Sequence, residues 1–440
     1  TILPGNEGRE YVLRRLIRRA ARHGRMLGIE GPFLSELCDR VIDASGDAYP
    51  ELKTRREMIK KVVAAVEEKF ASTIDQGMKI IGEYTADLEK SGDKILDGEK
   101  AFKLHDTYGF PIDLTKEIME ESGYTVDLNG FEAAMERQKK RSQVEQEMEG
   151  AGWDEATSDI SLDGETEFTG YDTMVQEGVV MAILNDDGLA DFCGEGSVCR
   201  IVLDKTSFYA ESGGQIYDTG VMENDGFSAD VTEVTKSHNV FIHKVKVTKG
   251  TVKKGDTVIC KPNVPLRNMT AANHTATHLL HQALKDVLGD HVKQAGSAVT
   301  SDGLRFDFNH FQAMTGEEIA EVEAIVNDKI SRFIDVTTRV MAIDDAMKEG
   351  ATALFDEKYG DMVRIVSIGD YSKEFCGGTH VKNIGQIGLF KILSESGIAS
   401  GVRRIEAITG QGVLRKLNDD EDAALPAPTG GPPSYQPAET

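Results

Sequence analysis

The sequence predicts a multi-domain α and α+β protein: a helical N-terminal part, a small β-barrel, and an α+β part built round a metal site. Three observations carry this. Apolar residues recur every three or four positions through the first 150 residues, the helical period. From about residue 155 short β-branched segments alternate with turn signals instead. Finally, His274-Thr275-Ala276-Thr277-His278 and Cys376-Gly377-Gly378-Thr379-His380 place metal-ligand residues at one spacing in two distant stretches.

At 440 residues the chain accommodates two to four domains, each with its own core. Hydrophobic content of 40% and charged content of 28% are ordinary for a globular protein. No run approaches the ~18 apolar residues of a membrane span, and no signal peptide is read at the start. Cys38, Cys193, Cys199, Cys260 and Cys376 are too few for a disulfide framework, so a reducing, cytoplasmic setting is expected. A net charge of −24 argues against indiscriminate nucleic-acid binding. RNA binding therefore needs a local basic patch, and residues 9–25 supply one with seven Arg.

In that segment Val12, Leu13, Leu16, Ile17, Ala20 and Ala21 form a stripe at helical spacing, with Arg14, Arg18, Arg22 and Arg25 on another face. Asn6 stands where an N-cap is expected. A solvated basic face is the plain reading. Arg without Lys favours bidentate phosphate contacts, so Arg9, Arg14, Arg18 and Arg22 are expected to bind RNA. A longer helical region follows, with Ile59, Val62, Val63, Val66, Phe70, Ile74 and Ile81 at helical spacing. Residues 102–114 read as helix, turn at Gly109 to Pro111, then helix, with Asp106 most simply a helix-end carboxylate. A charged run over 136–149 and Gly150-Ala151-Gly152 mark a domain boundary.

Strands are predicted at 178–184, 198–203, 229–234, 240–248 and 257–261, a spacing that suits a small barrel or sandwich over 155–264. Among them lies Thr206-Ser207-Phe208-Tyr209-Ala210-Glu211-Ser212-Gly213-Gly214-Gln215, then Asp218 and Gly220. It reads either as a hairpin loop with conformational glycines or as a loop bringing backbone close to a ligand. Residues 265–417 form the α+β part, with HTATH as the first turn of a helix, strands near 304–308, 362–368, 387–393 and 402–408, and a helix at 317–332. Imidazoles four apart share a helix face, so His274 and His278 reach one ion. With Cys376 and His380 from a Gly-Gly turn they make a three-His, one-Cys set suited to one Zn2+. The acidic and Pro-rich 418–440 is expected to be a disordered tail.

HTATH, CGGTH and the glycine-rich string together resemble the editing domain of alanyl-tRNA synthetase. Gly5-Asn6-Glu7-Gly8-Arg9-Glu10-Tyr11-Val12-Leu13-Arg14-Arg15 resembles the start of its tRNA-recognition domain, although that family usually has a second Gly where Glu10 stands. The resemblance implies a helical tRNA-recognition domain over 1–150, then the barrel, then a zinc-containing editing domain. It implies that Asn6 and Asp106 read the G·U pair of alanine tRNA, and that Arg403 and Arg404 lie near the tRNA end. It places Thr277 and Gln294 in the pocket that holds the aminoacyl ester, and Thr206, Gly213, Gly214 and Gln215 in the glycine-rich motif beside the substrate.

On this reading the chain is a fragment that binds alanine tRNA and hydrolyses seryl or glycyl esters on it. The N-terminal class II aminoacylation domain, with its ATP and Mg2+, and the C-terminal oligomerising extension are expected to be missing. No ligation, DNA or membrane partner, or oligomerisation is then expected. The alternatives are a tRNA-binding module with structural zinc and no hydrolysis, or an unrelated zinc hydrolase. The HExxH glutamate of zinc peptidases is absent from HTATH.

Overall fold

The computed structural model describes residues 4–5, 8–138, 165–185, 188–237, 239–352, 360–399 and 401–424, the side chains of 72 and 421–424 excepted. The chain divides into two compact units, Thr1–Ile160 and Ser161–Thr440. Among the described residues no helix is long and apolar enough to cross a membrane.

In the first unit the Arg-rich segment is the helix Gly8–Met26. Its apolar stripe is only partly covered: Ile17 and Ala21 are buried, whereas Val12 and Leu16 are exposed. The second periodic region is the helix Arg56–Ser91, ended by Gly92 at φ +79°. It buries Val62, Val63, Phe70, Ile74 and Ile81. The helices Gly98–Asp106 and Ile112–Glu121 flank the predicted turn, and Leu104, Phe110 and Leu114 from this segment complete the core. The helix Leu34–Ser45 was not foreseen, although Leu34, Leu37, Cys38, Val41 and Ile42 stand at helical spacing; only Leu34 and Ile42 are buried, with Leu37 and Val41 exposed. Of the charged run 136–149, residues beyond 138 lie outside the described ones, as do the 150–152 linker and Asn6.

The second unit opens with a closed antiparallel ring of six strands: Phe227–Ser237, Gly220–Asn224, Thr257–Pro262, Gln176–Asn185, Val198–Leu203 and Val240–Lys253, the last pairing back to the first. Closure removes the free edges of the sheet. Alternate residues such as Ala229, Val231, Val245 and Val247 fill the interior. Cys193 and Cys199, six residues apart, form a disulfide here.

The ring leads directly into the helix Val264–Leu288. HTATH is therefore not its first turn, as expected, but lies inside it. The start is set earlier by Asn263, whose side chain accepts from the Leu266 N–H at 3.3 Å, with Pro265 in the first turn. This helix packs through Leu279, Leu280, Ala283 and Leu284 against the four-stranded sheet ordered Gln294–Val299, Leu304–Asn309, Val402–Thr409, Phe390–Ala399. The helix Gly316–Ile330, begun by a Thr315/Glu318 capping box, adds Val322 and Val326 to the core. A second sheet, Val336–Ala342, Met362–Ile368 and Ser372–Phe375, delivers the chain to Cys376. The helix Gln411–Ala424 enters the stretch expected to be unstructured, of which 425–440 lie outside the described residues.

Candidate metal centre

Imidazoles of His274 and His278 stack on one face of the Val264–Leu288 helix, with ring centres 5.4 Å apart. Cys376 follows the last strand of the small sheet, where its N–H donates to the Arg364 carbonyl at 3.0 Å. The Arg364 guanidinium donates Nη1 back to the carbonyls of Cys376 (2.7 Å) and Gly378 (3.0 Å), folding the Cys-Gly-Gly turn on itself. Glycine is required at 378: a Cβ there would stand 2.1 Å from His274 Cε1. The loop can thus close against the helix, and ligand atoms of His274, His278, Cys376 and His380 all lie within 4.8 Å of one another.

Hydrogen bonds settle which nitrogen each ring offers. His274 donates Nδ1–H to Gln215 Oε1 at 2.8 Å. His380 donates Nδ1–H to the Thr275 hydroxyl at 3.1 Å, which itself donates to the Ala271 carbonyl. His278 directs Nδ1 at Glu374. All three Nε2 lone pairs are therefore left for the centre, where Cys376 Sγ lies 3.4 Å from His274 Nε2 and 3.3 Å from His380 Nε2. His278 Nε2 is buried with no hydrogen-bond partner. Three imidazole nitrogens and one sulfur converging in this way fit a tetrahedral zinc ion.

The electrostatics agree. Burial opposes ionisation of Cys376, but His274, His380 and His278 outweigh it and hold the thiol well below its ordinary pKa. Burial likewise opposes a charge on His278, yet Glu374 and Cys376 raise it to about 10. The buried Glu374 and the half-buried Cys376 thiolate thus favour positive charge between them, a proton on His278 in the metal-free chain or a divalent cation in its place. A cavity of 510 Å3 reaches the centre at His380 and Thr379, with Tyr171, Arg364 and Lys382 among its walls.

The glycine-rich string is fixed by the same architecture. Gly213 and Gly214 take φ +59° and +80°, and a Cβ on Gly214 would meet the Ser297 carbonyl at 2.6 Å. Gln215 is fully buried, donating to Thr379 Oγ1 (2.9 Å) and accepting from the Thr379 N–H (2.8 Å) as well as from His274. Thr206 is fully buried in the ring, its hydroxyl 2.8 Å from His243 Nε2. Thr277 is buried and donates to the Asn273 carbonyl at 2.9 Å, while Gln294 donates to Ser297 Oγ at 3.2 Å.

The basic residues are mostly paired. Arg22, read as facing a phosphate, is 2% exposed and bound to Glu121, with Glu117 at 3.5 Å. Arg14 and Arg18 line a small pocket with Tyr11 and Pro111. Arg18 lies 5.0 Å over the Phe70 ring, and burial lowers its pKa to about 10. Arg9 is exposed. Asp106 ends its helix and accepts from Gln138 at 2.6 Å. Arg403 is paired with Glu395 and Arg404 with Asp307.

Sequence reasoning missed Glu374, His281, Arg364 and Tyr171. His281 was findable, three residues after His278 on the same helix face. Glu374 carried no signal beyond its place two residues before Cys376.

A family model described as tRNA synthetases class II (A) matches residues 1–265, and one described as Threonyl and Alanyl tRNA synthetase second additional domain matches residues 363–406. Alanine–tRNA ligases of Thermoanaerobacter sp. (strain X514), Alkaliphilus oremlandii and Caldicellulosiruptor saccharolyticus are 49%, 50% and 51% identical to the chain, each over 96% of it. The chain spans 48% of the length of each.

These matches correct the sequence reading. The class II (A) model begins with the first residue and runs unbroken through the helical unit into the barrel. The expectation that the class II part is missing is overturned. The fold class that began with a separate helical tRNA-recognition domain falls with it. So do the reading of an editing fragment without ligation and the assignment of ATP and Mg2+ to an absent domain. The stretch 5–15, whose resemblance implies a domain start, lies within continuous class II (A) sequence.

Proposed function

From the premise that the chain belongs to the class II (A) tRNA synthetases, we propose that it is a working part of a cytoplasmic alanine–tRNA ligase and hydrolyses misattached amino acids beside that ligation. The substrate of this second reaction is the ester of serine or glycine on the 3′ end of alanine tRNA. The observation that carries the proposal is the convergence of three imidazole nitrogens and the Cys376 thiolate beside an open cavity.

His274, His278, Cys376 and His380 would hold zinc, which when bound supplies a Lewis-acid centre that orients or polarises the ester. The chain's own groups do the rest. Gln215 and Thr275 hold two of the rings in the ligating tautomer. Arg364 and the hydroxyl of Tyr171, which donates to the Gly377 carbonyl at 2.5 Å, fix the Cys-Gly-Gly turn. Thr277 and Gln294 are the neutral polar groups assigned to the ester and its attacking water. A pocket that admits the seryl ester cannot exclude the smaller alanyl ester by size. Discrimination comes instead from a polar group left unpaired when alanine binds.

Affinity for the tRNA body is assigned to Arg9, Arg14 and Arg18, and identity to Asn6 and Asp106. Arg403 and Arg404 are assigned to the tRNA end, after exchange of their carboxylate partners for phosphate. The test is incubation of the chain with seryl-tRNA(Ala). A shortened ester half-life, abolished by Cys376→Ala, is expected. A half-life equal to that in buffer would refute the hydrolytic reading.

A further inference from the structure

Glu374 is 3% exposed, in the strand that precedes Cys376. Its two oxygens serve two imidazoles from successive turns of one helix: Oε2 meets Nδ1 of His278, and Oε1 lies 2.7 Å from Nδ1 of His281. His281 is also buried, packed 5.3 Å from the Phe306 ring. The other two ligand rings are held by neutral acceptors, an amide and a hydroxyl. Among the described residues, His278 is the one ligand ring backed by a carboxylate.

We infer that Glu374 is the positioning residue of the metal centre: it locks His278 with Nε2 toward the ion and balances the ion's charge. This rests on the metal reading above. The argument is one of charge and acceptors. A divalent cation with one thiolate ligand keeps a net charge of +1, in a site whose ligands are all buried or half-buried. An unbalanced charge in such surroundings is costly. Glu374 brings the total to zero, with three neutral imidazoles as ligands. A carboxylate is also the side chain that can accept from two imidazole N–H groups at once, since an amide has only one oxygen to offer. Carboxylate backing of a ligating histidine raises its basicity and fixes its orientation.

Two variants separate the two effects. In Glu374→Gln the amide oxygen can still accept from His278. His281, which is not a ligand and whose Nε2 has no partner among the described residues to receive the proton, loses its acceptor. The ligand keeps its hydrogen bond and the charge is lost. Glu374→Leu removes the charge and both acceptors. Zinc affinity of the full chain is measured by competition with a chromophoric chelator, and cobalt(II) is then substituted to read the thiolate band. Glu374→Gln is expected to weaken zinc about 10-fold and Glu374→Leu about 100-fold, the span of outer-shell losses. The cobalt thiolate band should persist in Glu374→Gln. Thermal unfolding of the metal-free chains checks the fold. A purely structural Glu374 would lower metal-free stability and leave the affinity of the folded chain unchanged. Wild-type affinity in a folded Glu374→Leu chain overturns the inference. No substrate enters the assay, so failure of hydrolysis with these affinities intact counts against the proposed function and not against Glu374.

Discussion

Removing the Arg267 guanidinium is expected to destabilise the second unit more than any single change at the metal ligands. Arg267 sits in the first turns of the metal helix with its side chain 1% exposed. It donates Nε to both Asp218 oxygens at 2.7 and 2.8 Å, Nη1 to the Gly170 carbonyl at 2.9 Å and Nη2 to the Ser207 carbonyl at 2.7 Å. One side chain thus ties the helix to the glycine-rich segment that carries Gln215. In Arg267→Ala the Asp218 carboxylate stays buried with the Tyr209 N–H, at 2.7 Å, as its remaining hydrogen bond. Breaking a buried pair by deleting one partner costs about 3–5 kcal/mol. For a unit of this size that corresponds to a fall in melting temperature of about 6–20 °C. Replacing both partners by apolar residues, Arg267→Met with Asp218→Leu, should recover most of the loss, because no charge is then left unpaired. Scanning calorimetry of the full chain reads both variants. A loss under about 1 kcal/mol in Arg267→Ala, or a double variant worse than the single, would refute this account of the joint.

Three further outcomes are expected. Cys376→Ala should lower zinc from about one ion per chain, read by elemental analysis, since a thiolate contributes coordination that a methyl group cannot replace; undiminished zinc would remove Cys376 from the ligand set. Burial holds His243 down at about 4, against a raising hydrogen bond to the Ile201 carbonyl. The unfolded chain, at about 6.5, then takes up a proton that the native chain refuses, so this stability is complete above pH 6.5 and lost as pH falls toward 4, about 3 kcal/mol in all. Urea midpoints for wild type and His243→Gln should converge over that window. Arg22→Ala should cost about 1–3 kcal/mol of stability through the lost bonds of this buried guanidinium to the half-exposed Glu121 and leave the salt slope of tRNA binding unchanged, whereas Arg9→Ala should flatten that slope.

The convergence of His274, His278, Cys376 and His380 was legible in the sequence because each pair's spacing is local information. Four-residue spacing on a helix and a Gly-Gly turn before a second histidine each restrict geometry within one stretch. The barrel was legible for a similar reason: β-branched runs and Gly turns fix strands one at a time, and five of its six ring strands were predicted near their observed bounds. The sequence showed neither the closure of the ring nor the true start of the metal helix. Closure depends on remote pairings, Thr257–Pro262 with Gln176–Asn185 and Val240–Lys253 with Val198–Leu203, which no local pattern carries. The helix start depends on Asn263 and Pro265, three turns before the conspicuous histidines drew attention to themselves.

The basic helix shows why charge pattern is the weaker guide. Of the seven arginines in 17 residues, four have carboxylate partners among the described residues that the local pattern does not show. Arg15, Arg19 and Arg22 lie within 3.7 Å of carboxylates on the helix Ile112–Glu121, almost 100 residues later in the chain. Arg25 meets Asp75 at the same distance. Partners so remote leave no trace in a local pattern. Glu374 is the same case at the metal centre: its two imidazoles come from a helix about 95 residues earlier, and its neighbour Phe375 marks it as an ordinary strand residue. Local spacing therefore brings out the residues that could hold an ion, while the charges beside them come from pairings that only the folded chain brings together.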